Sequence, residues 1–319
     1  MAKNPSKYLV FLLLLPFVFS GCEKNAVDPA PAGAGARDAA QLRTSRTISC
    51  GSFRYADSVY YLREQPIDYV VSPVAARAGT YGAFPEGLQI NASTGAINVS
   101  RSQTGLKYRV SFVAAGTTDT CTTHVTISGV NYLNGLYVLS RNDTLAKPFY
   151  NAWRNVPPPC SEGDDDEEED DDDDEDDDDD ACEFDDGNDD DDGDGKNDEP
   201  AAGQEVRPKG VDINKLNGII NLRRTVLNGT FGAIPVSGTT RIFRIYYRLG
   251  DASNQALNFI DVKLSYYARR SDVPASVLSE INEKNGATLR RAAPLAGGRP
   301  EGASRQARPP HIVVTASEE

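Results

Sequence analysis

The chain has 319 residues, with 33 basic and 47 acidic side chains, and its formal net charge is −14. This length allows about two domains. Residues 162–199 hold 28 of the 47 acids and one base, Lys196, so this segment carries −27, while the remaining 19 acids and 32 bases carry +13. The net negative charge therefore comes from this one segment, and the rest of the chain is basic. A basic surface should attract the polyanion within a Debye length of about 8 Å.

The N-terminus has the features of an export signal. Lys3 and Lys7 precede an apolar core, residues 8–19, which is too short to cross a bilayer comfortably. The core ends in the letters FSGC, which resemble the lipobox of bacterial lipoproteins, although Phe stands where Leu is usual. The resemblance implies removal of residues 1–21 and acylation of Cys22. Ordinary cleavage to a soluble secreted chain is the alternative.

Residues 22–45 are rich in Ala, Pro and Gly and predict a flexible tether after the lipid anchor. The expected location is the outer membrane or the cell surface.

The other four cysteines are an even number in an exported chain, which favours two disulfides. Three pairings are possible. The local one is preferred, because Cys50 with Cys121 would close one domain and Cys160 with Cys182 would close a loop around the acidic run. A four-cysteine zinc site is the alternative, but no two cysteines have the close spacing that such sites favour.

Residues 46–129 predict a β-sandwich, because short segments rich in β-branched and aromatic residues alternate with turn residues. The letters GTTDTC at 116–121 predict a hairpin turn, and no amphipathic helix is expected before residue 270. The predicted strands are 69–71, 87–90, 96–99, 108–113 and 124–127.

The letters PEGLQINASTGAI at 85–97, followed by GLKYRV at 105–110, resemble a signature of the Ig-like and cadherin-like repeats of bacterial surface proteins. The resemblance implies a sandwich fold in which Asn91 and Thr94-Gly95 make a turn between two strands. The residues agree with it, because an Asn side chain can cap a turn and Gly can adopt positive φ. The motif carries almost no information about a ligand.

The same pattern recurs, because residues 90–101 align without a gap on residues 213–224. Downstream, residues 108–113 would correspond to 243–248, and the strand at 124–127 to 259–264. We therefore predict an all-β protein with two Ig-like or cadherin-like sandwiches, the second at residues 130–270. The acidic segment then becomes an insertion in the second sandwich, at residues 161–205, and we expect it to be disordered.

Residues 271–319 predict a short helix and then a disordered basic tail. The helix is expected at 271–284, where Ser and Asp begin a segment with Pro in its first turn. The tail has few apolar residues and is rich in Gly, Pro, Arg and Ala.

The acidic segment has two parts. Residues 164–180 are an unbroken run of seventeen carboxylates without a turn residue. Residues 185–199 read DDGNDDDDGDGKNDE, where Asp190, Asp192, Asp194 and Asp198 form a D-x-D-x-D-G-x-x-D pattern. This pattern resembles the calcium loops of thrombospondin type 3 repeats and dockerin-like modules. Calcium takes six to eight oxygens, and alternate side chains on a tightly curled loop converge on one point.

The pattern predicts a Ca²⁺ site, with backbone turns at Gly193 and Gly195. A second register runs from Asn188 to Glu199 and matches an EF-hand loop, although no flanking helices are predicted. Glu199 is therefore a further candidate ligand. A solvated acidic run without a fixed site is the alternative, and the glycines argue against it because solvation needs no turns.

Catalytic candidates are few. His124 alternates within a predicted strand, where a half-buried sheet residue is expected, and His311 lies in the predicted tail. Neither a Ser/His nor a Cys/His arrangement can be argued from these positions. The tyrosine pairs at 246–247 and 266–267 favour sheet packing over a sugar platform.

The expected function is that of a non-enzymatic, lipid-anchored, calcium-binding surface protein with an adhesive or structural role. Its expected partners are the membrane, through Cys22, and a surface protein or glycan, and not nucleic acid. The alternative is a glycan-binding or polymer-capture lipoprotein whose acidic loop is only a solvated spacer.

Overall fold

The structure is a computed structural model that describes residues 50–160, 182–185, 203–289 and 308–319. The described part is all-β, as predicted, with two α-helices: α1, Leu222–Leu227, and α2, Ala275–Leu289. The strands are β1 Val59–Tyr60, β2 Val70–Val71, β3 Gly79–Phe84, β4 Gln89–Ile90, β5 Ile97–Asn98, β6 Leu106–Ala114, β7 Thr120–Ile127, β8 Val130–Tyr132, β9 Gly135–Val138, β10 Leu145–Ala146, β11 Pro148–Tyr150, β12 Glu183–Phe184, β13 Ile220–Asn221, β14 Thr239–Arg248, β15 Asn258–Arg269 and β16 His311–Ser317.

The first unit, residues 50–129, packs a four-stranded sheet of order β1-β7-β6-β3 against a three-stranded sheet of order β2-β5-β4. Residues from both sheets share one core, in which Ile97 and Val110 are 0% exposed. Tyr81 on β3 contacts Phe112 on β6, with ring centroids 4.7 Å apart. Aromatic and β-branched side chains therefore fill the space between the sheets.

The second unit begins at residue 130 and contains a five-stranded sheet of order β12-β14-β15-β16-β9. A two-stranded sheet, β10 with β13, and a bridge between Ile213 and Ile220 lie on the same core. Strands β8 to β11 precede the acidic segment and β13 to β16 follow it. Strands from both sides thus share one sheet and one core.

The two units repeat a turn, hydrogen bond for hydrogen bond. Asn91 Oδ1 accepts the backbone N–H groups of Ser93 and Thr94 at 2.9 and 3.1 Å. Asn214 Oδ1 accepts the N–H groups two and three residues later at 2.8 and 3.1 Å. In each turn the glycine four residues on donates its N–H to the Asn carbonyl, at 2.8 and 2.9 Å. The repeat in the sequence is therefore a repeat in the structure.

The duplication extends into each core. Tyr55 and Tyr132 donate their hydroxyl groups to the carbonyls of Gly95 and Gly218, both at 2.6 Å. The Tyr81↔Phe112 register between β3 and β6 recurs as Phe184↔Tyr247 between β12 and β14. Strand β12 is therefore the counterpart of β3, and the predicted insertion at 161–205 contains a core strand.

Three expectations are corrected by the described residues. The tail is not disordered throughout, because residues 311–317 form β16 inside a sheet and Ile312, Val313 and Val314 are 0% exposed. The prediction missed this strand because its apolar run is only three residues long and the tail around it has a polar composition. A helix precedes residue 270, because the Asn221 side chain accepts the Arg224 N–H at 3.0 Å and caps α1. His124 is exposed, not half-buried. Helix α2 confirms the predicted helix.

We expect Gly95→Ala and Gly218→Ala to destabilise the protein more than Gly116→Ala. All three glycines have positive φ, between +70° and +78°, which costs an L-residue about 1–2 kcal/mol. A Cβ at the first two would lie 2.6 and 2.5 Å from an aromatic ring, whereas nothing lies within 4 Å at Gly116. Denaturant unfolding measures the difference, and equal losses for the three variants would contradict the packing argument.

We expect the free energy of unfolding to fall as pH decreases from about 6.5 to about 4, in part because of His311. Burial lowers the pKa of His311 to about 4, and Lys263 acts in the same direction. An unfolded histidine has a pKa near 6.5, so the unfolded chain binds the proton first as the solution is acidified.

The measurement is denaturant unfolding at several pH values in this window. His311→Asn should show a shallower fall than the parent protein, whatever its absolute stability. His124→Asn is the comparison at an exposed histidine. Partial burial, Lys107 and Arg109 also lower the pKa of His124, but the effect is smaller there, so this variant should change the slope less than His311→Asn. A slope for His311→Asn as steep as that of the parent would rule out this linkage.

Candidate functional site

The predicted calcium ligands lie outside the described residues. They are Asp190, Asp192, Asp194, Asp198 and Glu199, with turns predicted at Gly193 and Gly195. Cys22 also lies outside them. Within the part of the chain that the structure describes, no group of three His, Cys, Asp or Glu residues could hold a metal ion, and no helix is long and apolar enough to cross a membrane. The described residues do show how the acidic segment is attached.

The first attachment is a disulfide. Cys160 and Cys182 are bonded, with Cα atoms 4.9 Å apart, and Cys182 is 1% exposed. Cys50 and Cys121 form the other predicted pair, with Cα atoms 5.3 Å apart. The first bond closes residues 161–181, which include the carboxylate run, into a loop. Closing a loop of this length stabilises the fold by roughly 3 kcal/mol in the chain-entropy model.

The second attachment is β12 itself. Phe184 is 0% exposed and stacks on Tyr247, with ring centroids 5.5 Å apart and an interplanar angle of 19°. Its backbone N–H donates to the Lys215 carbonyl at 2.7 Å. The edge of the Phe184 ring also lies against Gly218, where a Cβ would come within 2.5 Å of it. Phe184 therefore anchors the middle of the acidic segment in the second core.

The third attachment is Asp185, which directly follows β12 and is 2% exposed. Its Oδ1 accepts the Val206 N–H at 2.5 Å and its Oδ2 accepts the Arg207 N–H at 2.9 Å. Burial raises the pKa of Asp185, and these two N–H groups act in the opposite direction. The carboxylate thus joins the two ends of residues 186–202, which contain the calcium pattern, into a second closed loop.

These three attachments, residues 160, 182–185 and 203–207, form what we call the stem. A cavity of about 450 Å³ lies beside it, lined by three bases, Arg207, Lys215 and Arg224, and by acids that include Asp185. The Arg224 guanidinium lies 2.9 Å from Asp212. Three bases and three acids, Asp185, Glu205 and Asp212, therefore balance where the second acidic loop meets the fold.

The structure brings together one Ser/His contact that sequence reasoning did not find. Ser265 Oγ lies 2.7 Å from His311 Nε2, and His311 Nδ1 lies 3.7 Å from the Glu280 carboxylate. Ser265 and His311 are each 1% exposed. A buried serine cannot meet a substrate, and Ser265 also bonds Thr240 at 2.8 Å. The contact therefore fixes β16 against β15 and does not make an open catalytic site.

The tyrosine pairs at 246–247 and 266–267 were expected to pack in the sheet. Three of these four rings are buried, those of Tyr247, Tyr266 and Tyr267. Exposed aromatic surface occurs instead at Trp153, which is 63% exposed, and at Phe259, which is 40% exposed and contacts the Arg244 guanidinium at 4.0 Å from the ring centroid. Phe259 lines a groove of about 800 Å³ together with residues 62–68 and 100–103. The groove runs along both sandwich units.

Comparisons with protein families, with curated proteins and with solved structures found no match to this chain.

We expect Asp185→Ala to open the second loop. The change leaves the Val206 and Arg207 N–H groups without their acceptor, and a buried unsatisfied donor costs about 1–3 kcal/mol. Amide hydrogen exchange at Val206 and Arg207 should accelerate. Glu205→Ala is the control, because Glu205 lines the same cavity without bonding these amides. If the control accelerates exchange at both amides as much, the Asp185 contact does not close the loop.

Proposed function

We propose that this protein is a non-enzymatic, lipid-anchored surface protein that binds calcium through the second acidic loop and has an adhesive or structural role. The observation that carries the proposal is the double closure of the acidic segment. The Cys160–Cys182 disulfide closes one loop, and the Asp185 clamp on Val206 and Arg207 closes the other. The carboxylates are thus mounted on a β-sheet.

Loop closure favours calcium binding for an entropic reason. A cation that takes six to eight oxygens must gather several side chains, and each ordered residue loses conformational entropy. Fixing the ends of residues 186–202 removes part of that loss before the ion binds. The D-x-D-x-D-G-x-x-D pattern then supplies alternate carboxylates and a glycine turn within one closed loop.

Electrostatics supports the same function. Residues 162–199 carry −27, so their carboxylates repel one another when no counterion is bound. Two positive charges on each calcium ion reduce this repulsion. Calcium should therefore compact the second loop and present a defined surface to a partner. An affinity in the extracellular range of about 10⁻⁴ to 10⁻³ M is expected.

We expect calcium titration by isothermal calorimetry to give saturable heat for the full chain and none for Asp192→Ala/Asp194→Ala. The matched control is Asp172→Ala/Asp174→Ala, which removes two charges from the unbroken run and leaves the pattern intact. The control should bind like the parent protein. Equal heats for all three proteins would rule out a specific site at 190–199.

A glycan-binding or polymer-capture role is the second candidate, and the groove beside Phe259 favours it. An aromatic face next to guanidinium groups and carboxylates can hold a sugar ring. Replacing residues 164–180 and 186–199 with short Gly/Ser linkers, while keeping 182–185, separates the two functions. A glycan binder would retain its ligand after both replacements, whereas a calcium-dependent adhesin would lose its partner. Deleting the whole segment would also remove Phe184 from the core, so it is not a suitable test.

A further inference from the structure

The two units differ at one edge of the main sheet. In the first unit β1 pairs directly with β7, in parallel, with Val59 opposite Thr126. In the second unit β15 occupies the place of β7, because it pairs with β14 as β7 pairs with β6. The strand parallel to β15 is β16, which starts with His311 opposite Lys263. Strand β9 then pairs with the other edge of β16.

Strand β9 is the counterpart of β1 in the repeat. It follows Tyr132 closely, as β1 follows Tyr55, and these two tyrosines make the same hydrogen bond to a turn glycine. Strand β16 therefore occupies a place between β9 and β15 that has no equivalent in the first unit. We call this place the slot. Strand β16, which fills the slot, follows the rest of the repeat in chain order.

The slot binds β16 on every side. Both edges of β16 are paired, from Ile312 to Thr315 with β9 and from His311 to Ser317 with β15. Ile312 and Val314 enter the core of the second unit, while Val313 packs with Val273 and Ile281 near α2. An empty slot would expose apolar surface and two unpaired strand edges, which is a template for strand addition.

Polar contacts make the slot selective for this sequence. The His311 N–H donates to Asn134 Oδ1 at 2.8 Å, and the His311 ring bonds Ser265 at 2.7 Å. The Lys284 ammonium donates to the Pro309 carbonyl at 2.8 Å. At the other end of the strand, Arg141 and Arg270 form ion pairs with Glu318. These contacts fix the register of one particular segment, residues 308–319.

The connection to β16 permits exchange. Residues 290–307 join α2 to the strand, and a chain of this length can reach at most about 60 Å. The disulfides of the described residues close 50–121 and 160–182, so neither ties β16 to the sheet. A second copy offers an identical strand that makes identical contacts, so exchange costs little beyond the loss of intramolecular linkage.

We propose that the slot between β9 and β15 is an assembly site that accepts the C-terminal strand of a second copy of this chain. Molecules then join by exchange of residues 308–319. The proposal is independent of calcium binding. Its occupant is set by the contacts of His311, Val313 and Glu318 just described.

The first test adds a fluorescent peptide of residues 308–319 to the full chain and follows the complex by anisotropy and native mass spectrometry. The native peptide should enter the slot slowly and remain bound in a one-to-one complex. A control peptide with Ile312→Asp and Val314→Asp should bind at least tenfold less, because two carboxylates would enter the core. Equal binding of both peptides, or of neither, would overturn the proposal.

The second test uses whole chains, and its substitutions lie outside the core, so that the variants should still fold. Arg269 and Ser317 are opposite each other in register and lie at the exposed end of their strands. In a Cys22→Ser background, one chain carries Arg269→Cys and the other Ser317→Cys. The mixture should form a disulfide-linked dimer under mild oxidation. A yield no higher than with Thr118→Cys, an exposed turn position, in place of Arg269→Cys would overturn the exchange.

Discussion

The structure of the second unit depends on Phe184, the one aromatic residue inside the acidic segment. Its ring stacks on Tyr247 and packs against Gly218, and its burial holds β12 on β14. A segment with a charge of −27 would otherwise be driven from the fold by repulsion and desolvation. The apolar anchor, the disulfide before it and the Asp185 clamp after it divide this charge between two loops.

The stem also shows where the acidic segment lies in the repeat. Phe184 takes the place in the second unit that Tyr81 takes in the first, so the acidic run interrupts a repeat just before a core strand. The units also share buried hydrogen bonds, because the Tyr247 hydroxyl contacts the Thr104 hydroxyl at 2.8 Å and the Asn131 side chain donates to the Thr104 carbonyl at 3.0 Å. Tyr247, which stacks on Phe184, thus also forms a hydrogen bond with the first unit. A displacement of Phe184 would therefore act on the contact between the two units through Tyr247.

The sequence predicted what local chemistry determines. The Asn and Gly of each turn define its geometry without distant partners, so the repeat was predictable, and the apolar pattern predicted five of the seven strands of the first unit. The number and spacing of the cysteines predicted both disulfides. Strand β16 was not predictable, because its apolar run is short and its burial depends on a slot formed by β9 and β15. Asp185 was hidden among carboxylates of identical type. Phe184, the one aromatic residue among the acids, was a signal that could have revealed strand β12, but it lies within the insertion that was expected to be disordered.

The most direct test of the account is an NMR titration of the full chain with calcium, because it reports on each loop separately. The amide resonances of Gly193 and Gly195 should shift with a saturable curve, while those of residues 164–180 should shift weakly and without saturation. A chemical-shift change of the same size and the same non-saturating form in both loops would contradict a specific site. The acidic segment would then attract cations only diffusely, without a fixed binding site.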